Sequence, residues 1–292
     1  MTRSAMILDK AAGGPGGVPA TAPAGAAGNR SRPGRKWPAK QMLAVAGILG
    51  FLLTWELIPR LGLVEARFLP PASDVIAALA VDLQLTAFWA AVAETLVAWF
   101  FGLAAAVALA VAAGFVVGSS QFLRRFTHST VEFLRPIPSV ALIPLAVLLF
   151  GVKIQSSLML IIYASFWQIF IQVLYGVADV DNVAMQTARS YGLGTAARVR
   201  HVVFPTALPY LMTGVRLAAS VALILAITAE LIIGSPGLGR EIALAQSGGA
   251  ISGMYALILA TGLIGVLINL VMRFIERKTL AWHSSIRSEV VV

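Results

Sequence analysis

Between Ala87 and Val117 the chain carries one charged residue, Glu94. A single helix of that run spans the roughly 30 Å hydrocarbon core of a bilayer with residues to spare. Further apolar runs follow it, and only 12% of the 292 residues are charged. An average soluble domain carries about 25%. With a mean hydropathy of +0.86, such a chain cannot clothe itself in a water-compatible surface. It reads as a polytopic integral membrane protein, and an all-α one, because backbone groups in lipid must be satisfied within the segment that carries them.

Six spans are expected, at roughly 41–58, 87–117, 137–151, 155–178, 208–233 and 253–276. The third is short and holds Pro138 and Pro144, with Pro136 just before it. It is therefore expected to be broken, with its freed backbone groups facing neighbouring helices or a wet cavity. Residues 1–40 differ from the rest: rich in Ala, Gly and Pro, with a basic cluster at their end, they read as a disordered tail rather than a signal peptide. The permease body is then 41–276, and 277–292 is a C-terminal tail.

Charge sets the orientation. Seventeen of the 22 Lys and Arg residues fall in 1–40, 118–136, 179–207 and 273–292. That asymmetry puts those segments, and both termini, in the cytoplasm. Here 118–136 is counted as a loop, and Arg216, left inside the fifth span, is expected to snorkel to the headgroups. The net charge of +9 reflects this bias and does not point to nucleic acid. The absence of cysteine excludes disulfides and thiolate metal sites. The His residues are scattered, without the spacing of a metal site or an intramembrane enzyme.

The inner segment 179–207 is the most patterned. Two helical stretches, Val183 to Tyr191 and Thr195 to Val203, flank Gly192-Leu193-Gly194. Asp181 or Asn182 suits an N-cap and Gly192 or Gly194 a C-cap. Pro205 and Pro209 are expected to end the second stretch and start the next membrane helix. Small residues at Thr187 and Ala188 leave room for a partner to approach.

In this segment the sequence resembles the permease subunits of bacterial ABC importers, whose cytoplasmic motif is E-A-A-x3-G-x9-I-x-L-P. Gln186, Thr187 and Ala188 stand at E-A-A, Gly192 at the glycine, and Val202, Phe204 and Pro205 at I, L and P. Gln186 replaces a carboxylate with an amide, so an ion pair available to the family is absent. The resemblance runs from Trp37 onward. Phe68-Leu69-Pro70-Pro71 with Asp74-Val75, Arg135-Pro136-Ile137-Pro138, and Ala229-Glu230-Leu231 before Gly237-Leu238-Gly239 look like the nitrate, taurine and alkanesulfonate subfamily.

The resemblance implies a type I importer permease in a bacterial inner membrane. Two copies, expected to be identical, form the pathway, a solute-binding protein delivers substrate from outside, and a separate ATPase docks on the loop. Gln186, Thr187, Ala188, Arg189, Tyr191, Gly192, Leu193 and Pro205 are the expected coupling residues. The chain lacks a G-x-x-x-x-G-K-[ST] phosphate loop. It is therefore expected to be no enzyme, with ATP and magnesium held by the partner and no cofactor or metal of its own.

Pathway candidates are fewer. Gln168 and Gln172, four apart on the fourth span with Trp167 beside them, either line a polar pathway or bond between helices. Glu94 and Glu230 are each a pathway carboxylate or a structural one, and the structural reading suits an anion importer better. The rival function is an ion-gradient-driven secondary transporter, against which the lack of a convincing internal repeat counts.

Overall fold

The computed structural model describes residues 37–281. The expected tail at 1–40 lies outside the described residues except for 37–40, which are in helix, and that at 277–292 except for 277–281, where the last helix runs on to Thr279. The chain divides into two units at Leu49/Gly50. Of the first, the described part is the opening stretch of helix α1 (Trp37–Arg60). The second holds the rest of α1 and α2 (Ala72–Asp82), α3 (Thr86–Ser119), α4 (Gln121–Leu134), α5 (Ile143–Phe150), α6 (Ile154–Ala178), α7 (Asn182–Ser190), α8 (Thr195–Arg198), α9 (Phe204–Ile233), α10 (Leu238–Ser247) and α11 (Ile251–Thr279). Among the described residues there is no strand.

Five of these helices are long and apolar enough to cross a membrane, and a bent pair makes up to six. That pair is α4 with Ser139–Phe150, a 3₁₀ turn running into α5, and its two arms meet at 80°. The expected break in the third span is thus present. The expected loop at 118–136 is not, because most of it is α4, an amphipathic helix capped by Ser120. Its polarity resembles that of a loop, but the polar residues of α4 occupy one face, while Phe122, Phe126 and Phe133 are exposed on another.

The core is a three-helix seam. α6 packs against α9 on one side and α3 on the other. In lipid no hydrophobic gain drives helices together, so close packing of small residues must do it. On α3 the facing stripe is Gly102, Ala106, Ala110, Gly114 and Gly118, all buried. A Cβ at Gly114 would fall 2.6 Å from Val173 Cγ1, and one at Gly118 2.9 Å from Val177 Cγ1. On the other side, a Cβ at Gly176 of α6 would lie 2.8 Å from the Cα of Ala207 on α9.

The Phe68–Pro71 segment is seated on its neighbours. Trp55 Nε1 donates to the Pro70 carbonyl at 3.0 Å, and the Tyr255 hydroxyl to that of Phe68 at 2.8 Å. Glu56 accepts from both the backbone N–H and the hydroxyl of Ser73, at 2.9 Å each, fixing the start of α2.

Candidate functional site

The segment between α6 and α9 folds as two helical arms. Asp181 Oδ1 accepts from Val183 N–H at 2.9 Å and caps α7. At its other end Leu193 N–H reaches the Ala188 carbonyl at 3.0 Å and Gly192 N–H that of Arg189 at 2.9 Å. That is the Schellman pairing, and it requires a left-handed residue at Gly192, where φ is +74°. Ala188 is buried, Leu193 half-buried, and Gln186, Thr187, Arg189 and Gly192 are exposed. Tyr191, at the C-terminal end of α7, projects with 80% of its surface open, and Val183, in its first turn, with 69%.

The second arm differs from expectation. α8 runs into a wide π-helical turn, Val199–Val203, and that turn straight into α9. Pro205 opens α9 as expected, but no break in the chain precedes it, and Pro209 does not mark a helix start. Pro205 falls in the first turn of α9, where the preceding wide turn has already rearranged the hydrogen-bond ladder, and Pro209 lies within the helix. The continuous rod Thr195–Ile233 has 39 residues, or about 58 Å at 1.5 Å per residue. That is nearly twice the thickness of a hydrocarbon core, so the rod is longer than a crossing requires. At the base of the arms the Tyr210 hydroxyl donates to Asp179 Oδ2 at 2.9 Å, clasping α9 to the end of α6.

The pathway candidates are divided among different places. Trp167 and Gln168 line one cavity of about 400 Å³ together with Arg135 and Tyr163. Gln172 lies in another, of about 510 Å³, with Asp179, Pro205 and Tyr210. Glu94 is exposed on α3. Glu230 is 1% exposed. Its Oε2 accepts from Thr95 Oγ1 at 2.9 Å and from Gly239 N–H at 3.0 Å, while Leu238 N–H donates to Thr95 Oγ1 at 2.9 Å. A carboxylate and a hydroxyl thus pin the first turn of α10 to α9 and α3. A Cβ on Gly237 would overlap the Glu230 carboxyl, and one on Gly239 the carbonyl of Ile227. Thr95 is not among the residues expected from the sequence, where a polar residue beside Glu94 in so apolar a run is its one signal.

Arg216 has a partner within the bundle: its Nη1 lies 3.1 Å from Glu276 Oε2 on α11, a charge-assisted contact.

Residues 104–280 match the family model described as "Binding-protein-dependent transport system inner membrane component". The taurine transport system permease protein TauC of Escherichia coli (strain K12) is 31% identical over 86% of this chain and 94% of its own length. The bicarbonate transport system permease protein CmpB of Synechococcus elongatus (strain ATCC 33912 / PCC 7942 / FACHB-805) is 28% identical over 85% and 95%. Among solved structures, a chain of an amino acid ABC transporter with histidines superimposes with a TM-score of 0.55 at 19% identity, covering 66% of this chain and 94% of that one. A chain of the MetNI methionine ABC transporter in an inward-facing conformation gives 0.52 at 20% identity, covering 65% and 93%. These two likenesses speak to the fold.

Proposed function

The chain belongs to the family of binding-protein-dependent transport system inner membrane components, and from that premise we propose that it is the permease of an ATP-driven importer for a small anion. Taurine and bicarbonate, named for two relatives, frame the class: a small solute carrying one anionic oxygen group. A solute-binding protein delivers it on the outer side. An ATPase that binds ATP and magnesium docks on the cytoplasmic side, two copies of this chain enclose the pathway, and lipid covers the apolar exterior. In this orientation the α7 arm is cytoplasmic, in keeping with the Lys and Arg asymmetry.

The observation that carries the reading is the α7 arm. It bears the Gln186–Gly192 register, ends in a left-handed turn, and sits on a rod continuous with a spanning helix. Closure of an ATPase dimer on ATP draws two such arms together. The rods transmit that displacement as a tilt of α9 and, through the seam, of α6 and α3. ATP binding thereby favours the outward-open arrangement, and hydrolysis returns the inward-open one. Gln172, Gln168 and Trp167 are polar or amphipathic positions along α6 that the solute meets.

The test is co-purification. Tagged chain expressed with the genes beside it, extracted in mild detergent, is expected to bring down an ATPase with measurable activity. Gly192→Val is expected to lose the ATPase while still inserting in the membrane. A chain that purifies alone, with uptake driven by an ion gradient, would establish the secondary-transporter reading instead.

A further inference from the structure

The break between α4 and α5 lies at an unexpected depth. The Tyr163 hydroxyl donates to the carbonyl of Leu134 at 2.6 Å, fixing the break against the middle of α6. By helical rise Tyr163 and Gln168 stand about 14 and 21 Å from the Ile154 end of α6, and Val221 about 18 Å from the Ile233 end of α9. All three line the same cavity with Arg135, Ser139 and Trp167. Arg135, the residue that follows α4, therefore lines a cavity half-way along the bundle, where it is exposed, and is not in an inner loop.

A cation at that depth is costly unless it faces water or a partner, and among the described residues no carboxylate pairs with Arg135. Beside it, the Trp167 indole N–H is buried and has no acceptor. The Gln168 amide is exposed within a spanning helix. Ser139 opens the 3₁₀ turn that follows the break. A guanidinium, an indole N–H, an amide and a hydroxyl are all able to donate, and no side chain lining this cavity is acidic.

Arg135 also borders a second cavity, of about 640 Å³, with His128, Arg124 and Tyr175. Glu132 lies on that wall, where its carboxylate is 3.3 Å from His128 Nδ1. The two cavities place cationic groups from mid-depth to the start of α4.

We infer that Arg135, with Ser139, Trp167 and Gln168, forms a transit site for the oxyanion group of the imported solute at the break in the third span. The site rests on the importer reading and gives it a specificity-determining residue. Arg135 takes the oxyanion with its paired N–H groups, Trp167 and Gln168 complete the shell, and the α4 cations draw the anion onward.

The whole importer (this chain, its ATPase and its binding protein) is reconstituted in liposomes and ATP-driven uptake is followed for taurine, ethanesulfonate, nitrate and bicarbonate. ATP hydrolysis is read in the same vesicles. Arg135→Gln is expected to lower sub-saturating uptake roughly tenfold or more, the loss of one charge-assisted contact, while stimulated hydrolysis persists. Arg135→Lys is expected to retain most uptake, and Trp167→Phe to lose a few-fold. Unchanged uptake by Arg135→Gln overturns the transit site alone. Equal loss in the Gln and Lys variants, with hydrolysis collapsing alongside, makes Arg135 a fold-holding residue and also overturns it. If the wild type imports none of the four probes, the anion reading falls and the site falls with it.

Discussion

Gly192 stands at φ +74° with open space around the position of a Cβ. What a side chain costs there is backbone strain and not a clash, about 1–2 kcal/mol for an L-residue forced left-handed. Asn tolerates that conformation better than Val. Gly192→Asn is therefore expected to preserve ATPase co-purification and uptake where Gly192→Val loses both, and equal behaviour of the two would mean that turn geometry is not the determinant. Glu230 presents a different case. Its carboxyl is buried and receives two N–H or O–H donors from separate elements. Glu230→Gln keeps an acceptor oxygen in place, whereas Glu230→Ala leaves the Thr95 hydroxyl proton and the Gly239 N–H without an acceptor, at a cost of roughly 2–3 kcal/mol. The expected result is a clear fall in detergent-solubilised melting temperature for Ala and a small one for Gln. A larger loss for Gln would show that charge, and not hydrogen bonding, holds α10.

Among the helices, α3 illustrates why apolar content alone says little about packing. Its exposed and buried faces are both apolar, and they differ in size: Phe100, Phe101, Leu109 and Val116 point outward, while Gly and Ala at every fourth position point to α6. Gly114→Leu drives a side chain into Val173 on a neighbouring helix. Overpacking of this kind costs about 1–3 kcal/mol or more where the backbone cannot give. Loss of monodisperse protein on gel filtration is the expected outcome, and recovery by Val173→Ala in the same chain would tie it to this contact. Wild-type behaviour of Gly114→Leu would mean that the α3–α6 seam is looser than described. The spacing of small residues was legible in the sequence as a period of four, but only the partner helix showed which face it served. α4 was not legible as a helix, because a polar stripe beside an aromatic one reads as a loop when the eye follows hydropathy.

For the molecule as a whole, the described surface is largely apolar, and even Leu148 near the end of α5 is 82% exposed. Lipid covers such a surface, but it does not solvate Glu94 on α3 or Gln168 on α6, which are exposed within spanning helices. Those two positions call for water or a second polypeptide. Native mass spectrometry of the purified importer is expected to find two copies of this chain with two ATPase subunits. One copy beside a different permease would replace the homodimer with a heterodimer, and a single copy would remove the shared pathway altogether.

The sequence by itself determined the fold class, the number of spans to within the bent pair, and the register of the α7 arm. Each of these is written locally, in runs of apolar residues, in prolines, and in a glycine at a fixed distance from Thr187-Ala188. Tertiary structure alone decided the rest. It separated Gln168 from Gln172, gave Glu230 to Thr95 and α10, paired Arg216 with Glu276, and drew Arg135 from an expected inner loop to the middle of the bundle. A polar residue's partner in a helical bundle is set by which faces meet and at what depth. Both follow from crossing helices distant in sequence, so no window along the chain contains them.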